Sequence, residues 1–192
     1  MNDITVRPAT EEDAETLLAI YRYYVEQTAV SFETVTPTAD EFRGRIRNVR
    51  QKYPYLAAAR DGKIIGYAYA HPFVGRAAYD WSAELTVYLA HDCRRAGAGR
   101  ALYTALETAL RQMGVVNLYA CIGHAEPEDE FLTNDSERFH AHMGFRTVGT
   151  FRKCGRKFGR WYDMIWMEKI IGTHGDNQPS VRRLADIAPS DG

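Results

Sequence analysis

The sequence predicts a mixed α/β (α+β) fold, a mixed sheet of six to seven strands with helices on both faces. Three observations predict it. Strand-like and helix-like segments interleave in the order β-α-α-β-β-β-α-β-α-β-β. Three strands follow one another mid-chain, two of them joined by Asp61-Gly62, which argues against a doubly wound parallel sheet. Of the 192 residues, 45% are hydrophobic and 26% charged, the balance of a chain that folds.

Residues 4–8 read as a short strand. Thr10 and Asp13 are spaced as a capping box for a helix whose Leu17, Leu18, Ile20, Tyr21 and Tyr24 recur at helical spacing. After an irregular stretch, a second helix is expected over 39–52. The β-prone runs 55–60 and 63–70 flank Asp61-Gly62 as a hairpin. In the next strand, 81–89, Glu84, Thr86 and Tyr88 share one face while Leu85, Val87 and Leu89 share the other. A long helix over 99–112 carries Leu102, Leu106, Ala109 and Met113 on one side, with Gly114 at the C-cap position. A strand at 115–122 follows. Asn134 or Asp135 caps a short helix that runs through Met143 and stops at Gly144, before strands at 145–151 and 162–169. From Gly172 the composition turns to Gly, Asn, Pro, Ser and Asp, predicting one domain over 1–171 and a flexible tail over 172–192.

Charge and cysteine use narrow the function. Lys and Arg number 24 against 25 Asp and Glu, for a formal net charge of -1, so no global basic field is present to gather nucleic acid or anionic lipid. No window approaches the roughly 18 apolar residues of a membrane span, and no apolar leader opens the chain. Cys93, Cys121 and Cys154 are odd in number and far apart, without C-x-x-C or zinc-site spacing. A cytoplasmic protein with no metal is expected.

The stretch Arg94-Arg95-Ala96-Gly97-Ala98-Gly99-Arg100-Ala101 lies between a predicted strand and a predicted helix. Glycines let backbone N–H groups turn inward, the helix start adds its dipole, and arginine donates charge-assisted bonds, together a cradle for a pyrophosphate. A tight turn with solvated arginines is the plain alternative. The P-loop signature is missing, and Leu102 stands where a dinucleotide fingerprint needs its third glycine.

What remains, R-x-x-G-x-G after a strand, resembles the cofactor motif of the GNAT superfamily of N-acetyltransferases. Phe139-His140-Ala-His-Met-Gly144-Phe145 resembles that superfamily's late helix and strand. Arg76-Ala-Ala-Tyr79-Asp80-Trp81-Ser-Ala-Glu84-Leu-Thr86-Val87-Tyr88 and Lys157-Phe-Gly-Arg160-Trp161-Tyr-Asp163 are similar to the phosphinothricin N-acetyltransferase group within it.

The resemblance implies acetyl-CoA as co-substrate, a small-molecule amine as acceptor, direct transfer through a ternary complex, and a homodimer. It implies that Val87, Tyr88, Leu89, Arg94, Arg95, Gly97, Ala98, Gly99, Arg100 and Ser136 meet the cofactor. It assigns Glu84 as the base, where strand position alone allows a surface carboxylate. His140 stands where many relatives carry a tyrosine, and it either protonates the departing thiolate, assists the base or is a packed structural histidine. Arg76 is implied as the cation for the acceptor's anionic group, with Phe32, Tyr79 and Thr86 around it. Two departures stand out: Thr133 takes the place of an asparagine that meets the pantetheine arm in relatives, and an acidic insertion, Glu126-Pro-Glu-Asp-Glu130, precedes it. A protein or peptide acceptor, or a non-catalytic CoA-binding module, remains the alternative.

Overall fold

The computed structural model describes residues 4–93 and 97–187. Its strands are β1 (Ile4–Pro8), β2 (Tyr55–Arg60), β3 (Lys63–Pro72), β4 (Ser82–Leu89), β5 (Asn117–His124), β6 (Arg146–Lys157) and β7 (Arg160–Ile170). Its helices are α1 (Ala14–Gln27), α2 (Ala39–Arg50), α3 (Ala98–Met113) and α4 (Asp135–His142). The strands form one seven-stranded sheet in the order β1-β2-β3-β4-β5-β7-β6, antiparallel everywhere except between β4 and β5. The mixed sheet expected from the sequence is what the chain builds.

Local chemistry sets the boundaries. The Thr10 N–H donates to Asp13 Oδ2 at 2.8 Å ahead of α1, and Thr38 and Glu41 cap α2 reciprocally at 2.7 and 3.2 Å. Asp61 and Gly62 both take positive φ, 51° and 77°, the pair of angles a two-residue hairpin of this twist requires.

Helices α1 and α2 cover one face of the sheet, burying Leu17, Tyr21, Phe42 and Ile46 against Tyr55, Ala57 and Tyr67. Helix α3 covers the other, where Leu102, Leu106 and Leu110 meet Ala68, Leu85 and Leu118. Helix α4 joins that second face through Phe139 and Met143.

One irregularity positions the site. β4 and β5 pair only across Ser82 with Asn117, Ala83 with Leu118 and Glu84 with Tyr119. Beyond that point β4 follows β3 as far as Leu89, and β5 follows β7 as far as His124. The twist of the two half-sheets then draws the strands apart and leaves a wedge-shaped gap through the sheet.

Two sequence expectations change. β6 runs over twelve residues and not seven, carrying a bulge between Phe151 and Gly155 with Lys153 at φ 50°. Its polar, mostly exposed Arg152 to Arg156 stretch has no alternation to read, because the bulge breaks the two-residue period. The tail expected to be loose from residue 172 is docked over 172–187. The Arg182 N–H donates to the Met113 carbonyl at 2.9 Å, the Trp81 indole N–H to the Pro179 carbonyl at 2.7 Å, and the Leu184 N–H to the Lys52 carbonyl at 3.3 Å. Val181, Leu184 and Ile187 pack against the core. Three spaced apolar side chains outweigh the polar composition around them.

Candidate active site

Glu84 sits at the apex of the wedge, the last residue of β4 paired to β5. Strand alternation points it to the α1–α2 face, in line with Thr86 and Tyr88, and burial raises its carboxyl to about 7. His71, opposite Glu84 across the β3–β4 ladder, brings Nε2 to 3.7 Å from Glu84 Oε1. The His71 Nδ1–H donates to the Pro72 carbonyl at 3.2 Å, which fixes the tautomer and turns the Nε2 lone pair toward the carboxyl. Burial lowers the pKa of His71, leaving the ring neutral at pH 7. Sequence reasoning missed His71; its signal is register, since a residue opposite Glu84 is visible only once the β3–β4 pairing is known.

The gap beyond Glu84 is a cavity of about 70 Å³ lined by Thr86, Val87 and Tyr88 on one side, Cys121 and Gly123 on the other, and Ser136 and His140 from α4. The free edge of β4 presents backbone N–H and C=O groups to it, so an extended amide chain can pair there as a strand would. Tyr88 packs its ring 4.9 Å from both Tyr21 and Tyr24, and burial holds its phenol well above the usual range. Cys121 is pushed up to about 12 by burial and, next, by the nearby Glu84, so it carries no reactive thiolate at neutral pH.

His140 is buried on the α3 side of the gap. Its Nδ1–H donates to the Ser136 carbonyl at 2.7 Å, so Nε2 is the acceptor and takes the Tyr103 hydroxyl, also at 2.7 Å. Burial lowers its pKa to about 4. His140 is therefore a neutral ring with both nitrogens already engaged, bridging α3 and α4.

Of the residues expected at the cofactor, Gly97 stands at φ +88° as the N-cap of α3, Ala98 and Gly99 form its buried first turn, and Arg100 is exposed beside them. A Cβ on Gly99 would lie 3.1 Å from the Phe139 ring and 3.6 Å from Leu89, so the first turn fits tightly between α4 and β4. Arg94 and Arg95 lie outside the described residues. The free N–H groups of this helix start, the β4 edge and the gap suit the pyrophosphate, the amide arm and the thioester end of an acetyl-CoA.

On the opposite face, the loop that leaves β3 carries Arg76 and Tyr79, and Phe73 within it stacks on Tyr119 at 4.1 Å, beside Glu84 in the register. The exposed Arg76 side chain pairs with no carboxylate among the described residues. Phe32 stands at the far end of the gap, close to Gly123 and against Gly155, whose added Cβ would fall 2.2 Å from its ring. The segment before it is pinned by the buried Lys157, whose ammonium donates to the Ser31 carbonyl at 2.6 Å. The acidic insertion is pinned too. Asp129 and Glu130 hold Arg160 at 3.0 and 2.8 Å, Tyr162 donates to Asp129, and Glu128 pairs with Arg138. Asn134 bonds both ways to Ala125, at 3.1 and 2.9 Å, so it closes this loop.

The model of the family described as "Acetyltransferase (GNAT) domain" matches residues 6–166. A phosphinothricin N-acetyltransferase of Streptomyces viridochromogenes is 36% identical over 185 residues, 96% of each chain. Among solved structures, a GNAT superfamily phosphinothricin acetyltransferase of Sinorhizobium meliloti in complex with acetyl-CoA superposes with a TM-score of 0.84 at 30% identity, covering 100% of this chain and 98% of that one. A ribosomal-protein-alanine N-acetyltransferase of Brucella melitensis gives a TM-score of 0.79 at 35% identity, over 86% and 99%. A wedge between two parallel strands, a glycine-rich helix start packed against the end of β4 and a match that spans nearly the whole fold lead to one conclusion: the chain belongs to the GNAT family and is an acetyl-CoA-dependent N-acetyltransferase.

Proposed function

We propose that the chain acetylates the α-amino group of a small amino acid or amino-acid analogue, of the phosphinothricin or methionine sulfoximine type, by direct transfer. The observation that carries the reading is Glu84: a partly buried carboxyl at the apex of the gap, beside the neutral His71. An acceptor amine arrives as an ammonium and must lose a proton before it attacks. Glu84 takes that proton, and Nε2 of His71 lies next in line to receive it. Acetyl-CoA supplies the activated acetyl group. Arg76 pairs with the acceptor carboxylate, Thr86 offers a hydroxyl, and Tyr79 and Phe32 close the sides. His140 acts as a positioning residue that fixes α4 against α3.

A gap lined by Thr86 and Tyr88 from one face of the sheet and by Leu85, Val87 and His140 from the other favours a ternary complex, with cofactor on the α3–α4 side and amine on the α1–α2 side. The unpaired cysteines support a reducing, cytoplasmic setting. Val148, Phe151, Phe158 and Trp161, exposed on the β6–β7 edge hairpin, support a homodimer.

Thiol release from acetyl-CoA, with product mass, tests the reading against phosphinothricin, methionine sulfoximine, free amino acids and N-terminal peptides. Release with the amino acids or analogues is expected. Release with peptides alone would move the chain to the second reading, which the named acceptor of the 35% identical Brucella protein favours.

A further inference from the structure

Residues 28–38 join α1 to α2 without a helix or strand of their own, yet they supply part of the site: Val30 lines the gap and Phe32 stands at its far end. Such a segment keeps its place through the groups that hold it from outside. One of them is a buried charge. Lys157, the last residue of β6, is 6% exposed, and its ammonium donates to the Ser31 carbonyl at 2.6 Å and the Tyr24 carbonyl at 3.5 Å. Tyr24 lies in the last turn of α1, where carbonyls lack helical partners and the dipole favours a cation.

Among the described residues no carboxylate pairs with Lys157; Glu33, whose charge reaches it, is held by Arg45 at 2.8 Å. An ammonium buried in this way costs stability that an apolar side chain of similar length would not. What the ammonium adds is its hold on Ser31. That hold reaches the next residue, because the Phe32 ring lies over Gly155, two residues before Lys157 in β6, and an added Cβ there would fall 2.2 Å from it. On β5, a Cβ added to Gly123 would meet the Ala29 carbonyl at 3.2 Å, Leu132 at 3.4 Å and Phe32 at 3.7 Å. The two glycines leave room for the segment, and Lys157 fixes its place in that room. With its bonds made to main-chain carbonyls and so little of it exposed, the ammonium itself is no partner for the acceptor.

We propose that Lys157 is a positioning residue for the acceptor: it holds Val30 and Phe32 as the far wall of the site, and that wall sets the fit of the acceptor's side chain. The proposal rests on the amino-acid acceptor reading above. With the amine at Glu84 and the carboxylate at Arg76, the side chain is the part left to face Phe32.

The test is KM and kcat, by thiol release, for phosphinothricin, methionine sulfoximine and alanine in wild type, Lys157→Met, Phe32→Ala and the double variant. Lys157→Met keeps the apolar stem and removes the donor. It should raise KM for the two longer acceptors about tenfold, with kcat and the KM for acetyl-CoA within about threefold of wild type. Alanine, too short to reach the wall, should change by less than about twofold. Because Lys157 acts through Phe32, adding Lys157→Met to Phe32→Ala should raise KM by less than about twofold further. Should Lys157→Met not fold, Lys157→Gln, which is one atom too short to keep the bond to Ser31, is read in the same way. An unmoved KM for the longer acceptors, an equal rise for alanine, or a tenfold rise that persists in the Phe32→Ala background overturns the role of Lys157 and leaves the amino-acid reading intact. If the wild-type protein acetylates none of the three acceptors, both are overturned.

Discussion

Replacing Glu84 by Gln separates its catalytic and structural effects, because the two move in opposite directions. The carboxyl lies about 2.5 pH units above its ordinary 4.5, a difference of about 3 kcal/mol between its charged and neutral forms, and about 2 once partial solvent access is allowed for. The native state binds this proton more tightly than the unfolded chain. Stability is therefore fully kept below pH 4.5, declines as pH rises to about 7, and stays lower by that amount above it. In the Glu84→Gln variant the side-chain amide carries no charge and escapes the loss. The variant should melt roughly 4 to 8 °C above wild type at pH 8 and within about 2 °C of it at pH 4.5. Its activity should fall about 10²- to 10⁴-fold at pH 8, the usual range for a lost general base. Wild-type kcat/KM should drop about tenfold per pH unit below 7, a limb the variant lacks. Thiol-release kinetics and thermal melts across pH 4.5 to 8.5 read both effects. Activity within threefold of wild type at pH 8, or melting curves that track wild type at every pH, would refute the assignment.

Two further outcomes follow from the packing. Tyr103→Phe leaves the buried His140 Nε2 without its donor, at a cost of about 1–3 kcal/mol, so the melting temperature should fall by roughly 2 to 12 °C; no fall would mean that the Tyr103–His140 bond does not hold α3 to α4. Ending the chain at Thr173 removes the partly buried Val181, Leu184 and Ile187 together with the carbonyl that Trp81 uses. About 2–4 kcal/mol of stability should go with them, and KM for the amine should rise several-fold because Trp81 leads out of the loop that carries Arg76; an unchanged KM would detach the tail from the acceptor site.

Where one segment determines its own structure, the sequence is readable. The two positive φ angles at Asp61 and Gly62, the Thr10–Asp13 box and the helical spacing in α3 are properties of a few neighbouring residues, and each was found where expected. Properties of pairs of distant segments were not readable. Nothing near residue 84 says that β4 and β5 part after three pairs, and that parting makes the site. Resemblance suggested roles for Glu84 and Arg76, but His71 emerges only from the β3–β4 register. The three roles left open for His140 could not be narrowed from the sequence, since whether a histidine donates a proton depends on the partners that burial gives it. The pinning of the acidic insertion was not readable, because its counter-ions, Arg138 and Arg160, lie on other elements of the fold.

The strap over residues 172–187 also bears on how the enzyme is made. The loop that carries Arg76 is synthesised about a hundred residues before Pro179, whose carbonyl receives the Trp81 indole. Chains grow from the N-terminus and their early parts fold first. The sheet and its wedge can therefore assemble while the acceptor loop still lacks its anchor, and that loop is fastened only once residues 172–187 have followed.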